Sequence, residues 1–475
     1  MYDIAIIGGG VGGLVTASGC AQFGAKTVLV EKEKLGGDCL NYGCVPTKTL
    51  LHTAKIFHTI KDTGDLGINV DSASLDFKKV MDHMRQVQSK IAVHDDPERF
   101  RKMGVEILFG SGSFKDRHTF NVNGTEIKSR NFLVATGSRP AAPPIPGLEN
   151  VDYLTNETIL ELEELPKKLL VIGAGPIGME YAQCFSRFGS RVTVIEKMGQ
   201  ILPREESELA DILEKELKNE GIEIETCIEM EKIEKTAQGI EITALCEKDK
   251  CRKKFVGDKL MVAIGRAPNV EGLNLEGIGV AVERSGIKVN GSLRTGVPNI
   301  FACGDVTGLF PFTHMAEHEA GIVVGNAIFP FVNRKMNKNV VPWATFTDPE
   351  LARVGMTEAE AKTKHGQSGV KIYKYGYSEH DRAIIEGKGV GEVKLVCNLK
   401  GGILGAHILG QDAGNLIHEY ALAMNNGISV QKISSTIHVY PTMGQIVKRA
   451  ADQYYREKLF SGPMATFSRY WFGRK

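Results

Sequence analysis

The sequence predicts an α/β protein built around two doubly wound parallel sheets, and three observations carry that expectation. The chain has 475 residues, more than one core organises, since domains usually run to roughly 100–200 residues. A strand, glycine loop, helix and second strand follow one another over residues 4–31. The same order of elements recurs over residues 169–196.

Composition narrows the class. A hydrophobic content of 42% with 24% charged residues and 53 glycines describes a globular chain with many tight turns. The net charge of +1 supplies no field to draw the molecule to nucleic acid. No run of about 20 apolar residues is present, so no spanning helix is expected. Met1-Tyr2-Asp3 leads straight into an apolar strand without a basic leader. The cysteine count is odd, 9, and scattered, unlike a secreted disulfide framework. A cytoplasmic setting is expected.

The first repeat reads as strand Ile4–Ile7, loop Gly8-Gly9-Gly10-Val11-Gly12-Gly13, a helix over Leu14–Phe23, and strand Thr27–Val30 ending in Glu31. Gly8 suits a tight turn, Gly10 lets backbone approach a pyrophosphate, and Gly13 lets helix and strand pack closely. Phosphates favour the helix N-terminus, where free N–H groups and the dipole meet negative charge. Glu31 follows Gly13 by 18 positions and can accept bonds from ribose hydroxyls. The second repeat has strand Leu169–Ile172, loop Gly173-Ala174-Gly175-Pro176-Ile177-Gly178, helix Met179–Phe188 and strand Arg191–Ile195 before Glu196, again 18 positions past the last glycine. Two dinucleotide sites are therefore expected. A carboxylate at Glu196 repels a 2′-phosphate, which favours NADH over NADPH, although Lys197 and Arg204 lie nearby in sequence.

Cys39 and Cys44 follow the first repeat in Gly37-Asp38-Cys39-Leu40-Asn41-Tyr42-Gly43-Cys44-Val45-Pro46-Thr47-Lys48. Four residues separate them, and Pro46 with Thr47–Ala54 suits a helix start. A thiol near a helix N-terminus is stabilised as thiolate, as a redox pair requires. The alternative is two inert buried thiols.

These motifs resemble the flavin-dependent pyridine nucleotide-disulfide oxidoreductases, the group of dihydrolipoamide dehydrogenase, glutathione reductase and mercuric reductase. Ala135-Thr136-Gly137, Ala263-Ile264-Gly265-Arg266, Phe301-Ala302-Cys303-Gly304-Asp305 and Thr347-Asp348-Pro349-Glu350 continue the family's order. The resemblance implies FAD in the first site, contacted by Gly8, Gly10, Gly13, Glu31, Lys48, Thr136, Gly137, Gly304, Asp305, Met315 and Ala316. It implies NAD(P)H in the second, at Gly173, Gly175, Gly178, Glu196 and Gly265. It assigns Lys48 and Glu180 to a pair near the flavin, Cys44 to the flavin-proximal sulfur, and Cys39 to exchange with an external disulfide. It further implies an FAD domain at residues 1–145 and 266–340, an NAD(P) domain at 146–265, and an α+β dimerisation domain at 341–460. The implied assembly is a homodimer with shared active sites.

The sequence departs from the family in one segment. Disulfide-reducing members carry His-Pro-Thr-x-x-Glu, where this chain has Tyr440-Pro441-Thr442-Met443-Gly444-Gln445. Tyrosine, with an ordinary pKa near 10, is a weaker base at neutral pH than histidine. His438 stands two positions upstream, as a substitute base or a structural residue. Tyrosine here is closer to mercuric reductase, yet no Cys-Cys pair occurs and the last cysteine is Cys397. The expectation is a mercuric-reductase-like enzyme with a small-molecule or protein disulfide, or another thiol-reactive acceptor. Dihydrolipoamide-type dithiol oxidation and direct quinone reduction are the alternatives.

Cys246 and Cys251 bracket a hairpin tip and read as exposed, non-catalytic thiols, with a metal site or a regulatory disulfide as the alternative. Cys20, Cys184, Cys303 and Cys397 read as packing. The tail, residues 461–475, mixes Phe467, Tyr470, Trp471 and Phe472 with Arg469, Arg474 and Lys475. That mixture suits peripheral contact with a membrane face, or packing on the protein's own dimer.

Overall fold

A computed structural model describes every residue except 62, 461, 462, 474 and 475, and every side chain except those and 65, 463 and 464. Contacts divide the chain into two units, Met1–Lys167 with Lys259–Met336, and Lys168–Asp258 with Asn337–Lys475.

The first unit opens with β1 (Tyr2–Ile7), α1 (Val11–Gln22), β2 (Thr27–Glu31), α2 (Gly37–Asn41), α3 (Cys44–Lys61) and α4 (Phe77–Ala92). The strands β3 (Val105–Phe109), β4 (Gly112–Asp116), β5 (Thr119–Val122) and β6 (Thr125–Val134) follow. They lie in the order β3-β2-β1-β6-β5-β4, and strand Ile300–Ala302 pairs with β6. Pairing is parallel from β3 through β6 and on to Ile300–Ala302. Fully buried Ile4, Ala5 and Ile6 explain why β1 reads as an unbroken apolar run. The chain leaves β1 for β2 on one side and returns with β6 on the other. Ligands bind at such a reversal, outside the strands' C-terminal ends.

Helix α1 begins at Val11, three residues before the expected Leu14, because Gly12 and Gly13 are packing positions within the helix. A Cβ on Gly13 would lie 1.9 Å from the Gly8 carbonyl oxygen. The opposite side of α1 packs against helix Thr313–Ile328. The thiol-bearing helix also starts early, at Cys44 itself, and runs to Lys61 rather than Ala54. Pro46 falls in its first turn, where a missing N–H costs no helical bond.

In the second unit, strands Lys168–Ile172, Arg191–Ile195 and Glu223–Glu225 pair in parallel. Strands Ile228–Thr236, Gly239–Cys246 and Cys251–Gly257 form an antiparallel meander. Alternation buries Ile240, Ile242 and Ala244, and continues to Cys246. Cys246 is thus buried while Cys251 is exposed, which corrects the expectation of two exposed thiols. Cys20, Cys184, Cys303 and Cys397 are buried as packing residues, and burial pushes Cys20 and Cys397 up to about 12.

The remainder of this unit is an antiparallel sheet ordered Pro342–Thr345, Glu350–Gly355, Ile403–Gly410, Glu392–Asn398, Val370–Gly376. Tyr377, Tyr420, Ile446 and Val447 fill its core with helices Ala413–Asn425 and Gln445–Phe460. Helix Pro463–Trp471 packs on Gln445–Phe460 and leaves Phe467, Tyr470 and Trp471 exposed, as is Phe472 just beyond it. Arg474 and Lys475 lie outside the described residues. Among the described residues no helix is long and apolar enough to cross a membrane.

Candidate active site

The glycine loop after β1 and the cysteine loop after β2 meet through their backbones. The Gly36 N–H donates to the Gly9 carbonyl at 2.9 Å. Gly37 has φ +58, and a Cβ there would lie 2.7 Å from Gly10 Cα. Only glycine lets two main chains approach so closely in that conformation. The cysteine loop is then tied internally. Tyr42 and Gly43 N–H groups donate to the Asp38 carbonyl, Asn41 Nδ2 to Leu35 and Gly37, and Gln88 Nε2 to Leu40 and Asn41.

Cys39 on α2 is half-buried, and Cys44 at the head of α3 is exposed. The Cys39 thiol is held far above its ordinary range, first by its hydrogen bond with Cys44 and then by burial. The pair therefore titrates as a unit in which one sulfur keeps its proton. Cys44 sits at the positive end of α3, which favours thiolate there. Lys48 lies one turn further along the same face.

Three residues that the sequence analysis did not assign a role join this site. Thr313 Oγ1, heading helix Thr313–Ile328, lies 3.4 Å from Cys44 Sγ. Asn156 Nδ2 donates to the Tyr42 carbonyl at 3.2 Å. Arg266 Nη2 pairs with Asp38 at 3.0 Å and donates to the Ser138 carbonyl at 2.9 Å. Each partner is more than 100 residues away, beyond the reach of local pattern; Arg266 alone fell inside a quoted motif.

The first loop fits a dinucleotide. Gly10 caps α1 without a side-chain bond, so the capping residue does not compete with an anion for the first-turn N–H groups. Glu31 is buried with Oε2 accepting from Gly9 and Oε1 from Glu33, which fixes the carboxylate beside the loop. Thr136 and Asn269 exchange hydrogen bonds next to Gly137. Burial raises Asp305, opposed by the Ser138 hydroxyl at 2.5 Å and by Arg266. Gly304 donates its N–H to buried Glu319, and Met315 and Ala316 are buried at the start of their helix.

The second loop repeats the arrangement. Gly175 caps Pro176–Phe188 without a side-chain bond, and a Cβ there would meet nothing within 4 Å, leaving room for phosphate. Glu196 Oε2 accepts from Ala174 and Oε1 from Met198, both at 2.7 Å. Lys197 pairs with Glu229, and Arg204 stacks over Trp343. Gly173 turns the loop with φ +102, Gly178 is buried in the helix, and Gly265 has φ +129 in the first unit. Glu180 is buried on the second-loop helix and accepts the Phe346 N–H at 2.9 Å.

The Tyr440 segment is exposed, and its hydroxyl is bonded to Asp381, which raises the tyrosine pKa further. His438 Nδ1 faces the Thr436 carbonyl at 3.0 Å and Nε2 faces Glu419 at 3.1 Å. Sequence reasoning missed Asp381 and Glu419, which lie 59 and 19 positions from their partners.

Comparison with known proteins agrees with this architecture. Residues 2–320 match the pyridine nucleotide-disulphide oxidoreductase family and residues 341–451 its dimerisation domain. A mercuric reductase of Lysinibacillus sphaericus is 35% identical over 454 residues, covering 95% of this chain and 82% of that protein. A dihydrolipoyl dehydrogenase of Bacillus subtilis is 35% identical over 454 residues, covering 94% and 97%. Among solved structures, the HOCl-induced flavoprotein disulfide reductase RclA from Escherichia coli superposes with a TM-score of 0.84 at 28% identity, covering 94% of this chain and 99% of that one. With two glycine loops, a cysteine pair pinned to the first of them, and a matched dimerisation domain, the chain belongs to the pyridine nucleotide-disulphide oxidoreductase family, whose members use FAD and NAD(P)H.

Proposed function

We propose that the protein is a mercuric-reductase-like enzyme that moves electrons from NADH to the Cys39–Cys44 pair and on to a thiol-reactive acceptor, a disulfide or a thiophilic metal ion. The contact of Gly37 with Gly10 carries this reading, because it fixes the dithiol against the loop that would hold FAD. Bound FAD supplies two-electron transfer between nicotinamide and sulfur. The chain contributes the rest. Cys44 accepts the electron pair as the Cys39–Cys44 bond opens, and the head of α3 steadies its negative charge. Lys48 adds a cation beside it. With a disulfide acceptor, Cys39 attacks as the Cys44 thiolate takes its proton, and one acceptor sulfur leaves as thiolate; Cys44 then resolves the mixed disulfide and its proton goes to the second leaving sulfur.

A preference for NADH is supported by Glu196, with Lys197 engaged by Glu229 and Arg204 by Trp343. The proton-carrying positions favour a metal ion over a disulfide of high thiol pKa. Tyr440 is held to Asp381, and both His438 ring nitrogens already face acceptors, so neither offers a ready base. The matched dimerisation domain supports a homodimer, and its subunits would complete each other's sites through the 437–440 segment. The exposed aromatic face near the C-terminus, with Arg469 among it, supports contact with an anionic lipid surface.

The deciding experiment is NADH oxidation by the flavin-loaded enzyme against lipoamide, glutathione disulfide, mercuric ion, Cu(II) and a soluble quinone. The expected outcome is turnover on one thiol-reactive acceptor that Cys44→Ser abolishes. Turnover confined to quinone and surviving that substitution would make the protein a direct quinone reductase.

A further inference from the structure

A second pair of cysteines lies apart from the candidate active site. Cys246 ends one strand and Cys251 begins the next, and the two are directly paired across the antiparallel ladder. Directly opposed residues have Cα atoms about 4.5 or 5.5 Å apart, depending on the hydrogen-bonding register. Both separations fall inside the window of about 4.4–6.8 Å that a disulfide spans. Opposed side chains also share a face of the sheet. Lys253, two residues on, shows this directly. Its ammonium is raised first by its bond to Glu225, with both cysteine sulfurs close enough to add to it. Cys251 is exposed, which gives an oxidant access, whereas Cys246 is sheltered beside Asp249.

The hairpin tip is wired to the second glycine loop. The Glu247 N–H, next to Cys246, donates to the Cys227 carbonyl at 2.9 Å, and the Cys227 N–H donates to the Met198 carbonyl at 2.9 Å. Met198 in turn donates to Glu196, whose other oxygen receives Ala174 in the loop. Cys227 holds φ +60, a conformation that few non-glycine residues adopt, so this junction has little freedom to absorb a shift.

We propose that Cys246 and Cys251 are a redox-modified pair whose disulfide weakens dinucleotide binding at Glu196. This rests on the reading that Glu196 faces the nucleotide's ribose. In the step, the Cys251 thiolate attacks a low-molecular-weight disulfide and releases one thiolate. Cys246 then displaces the second, so the protein loses two electrons and two protons and the oxidant becomes two thiols. Closing the bond turns the Cys246 sulfur from Asp249 to Cys251 and so disturbs the turn that begins at Glu247, which loosens the hold of Glu247 on Cys227.

The test uses the flavin-loaded enzyme equilibrated in glutathione buffers from reducing to oxidising, then acid-quenched, alkylated and mapped by mass spectrometry. A Cys246–Cys251 crosslinked peptide is expected on the oxidising side, and its absence there would overturn the proposal. The KM for NADH with ferricyanide should rise about fivefold or more in the oxidised enzyme. Cys251→Ser should remove that rise, although its Cys39–Cys44 pair is oxidised equally. An equal KM for oxidised wild type and oxidised Cys251→Ser overturns the coupling. Glu196→Gln serves as a separate control. If it leaves the KM for NADH unchanged in the reduced enzyme, the assignment of the nucleotide site fails and the crosslink stands.

Discussion

Two sulfurs in contact cannot both ionise, and the loop geometry decides which one does. Cys44 and burial hold the proton on Cys39, while the helix start favours Cys44 as the first of the pair to ionise. A different buried group makes the fold sensitive to mild acid. His407 is fully buried and hydrogen-bonded to the Met356 carbonyl, and burial pushes it down to about 4, with Arg353 also acting against its charge. The unfolded chain takes up a proton near pH 6.5, before the folded one does. Stability from this group is therefore complete above pH 6.5 and declines as pH falls toward 4, by on the order of 3 kcal/mol. Thermal unfolding midpoints between pH 7 and 4 should fall accordingly, and His407→Gln should flatten that stretch. Glu208, held down to about 2 by Lys374 and then Lys394, loses its contribution only as pH falls from about 4.5 toward 2, at the acid end of that window and below it.

At the level of elements, the candidate site depends on a loop-to-loop contact more than on any side chain. Gly37→Ala places a methyl group against the Gly10 backbone, in a left-handed conformation besides. A cost of about 1–3 kcal/mol is expected, together with loss of bound flavin, read as the ratio of 450 to 280 nm absorbance. Gly24→Ala also has positive φ but meets nothing within 4 Å, so it should retain its flavin. The glycine loops, both acidic strand ends and the cysteine pair were legible because each is a local pattern with a local cause. The roles of Thr313, Arg266, Asn156 and Glu419 were not, since each meets a partner at least 19 residues away that no local pattern links to it. The early start of α1 and α3 was missed for a similar reason. Gly12, Gly13 and Pro46 look like breakers in isolation and prove to be packing or first-turn residues. Burial of Cys246 continued an alternation visible in Ile240, Ile242 and Ala244, and was readable in principle.

For the whole molecule, the matched dimerisation domain implies that apolar surface on a single chain becomes interface. Ile437 is 96% exposed and Val439 74%, beside Tyr440. Ile437→Asp should shift the sedimentation coefficient from dimer to monomer and remove acceptor turnover, with the flavin spectrum retained. Deleting residues 461–475 should leave the dimer intact and abolish binding to phosphatidylserine vesicles; unchanged vesicle binding would retire the lipid contact. The division of the chain has another consequence, for synthesis. The first unit is interrupted by residues 168–258, and β6 receives its neighbour only when Ile300–Ala302 emerges. At a translation rate of about 5–20 residues per second, β6 waits on the order of 10–30 s for that strand. During this interval Phe132, Leu133 and Val134 present an open apolar edge on the ribosome. Neither unit can close until the chain past residue 300 has been made, because each takes one segment from either side of the other.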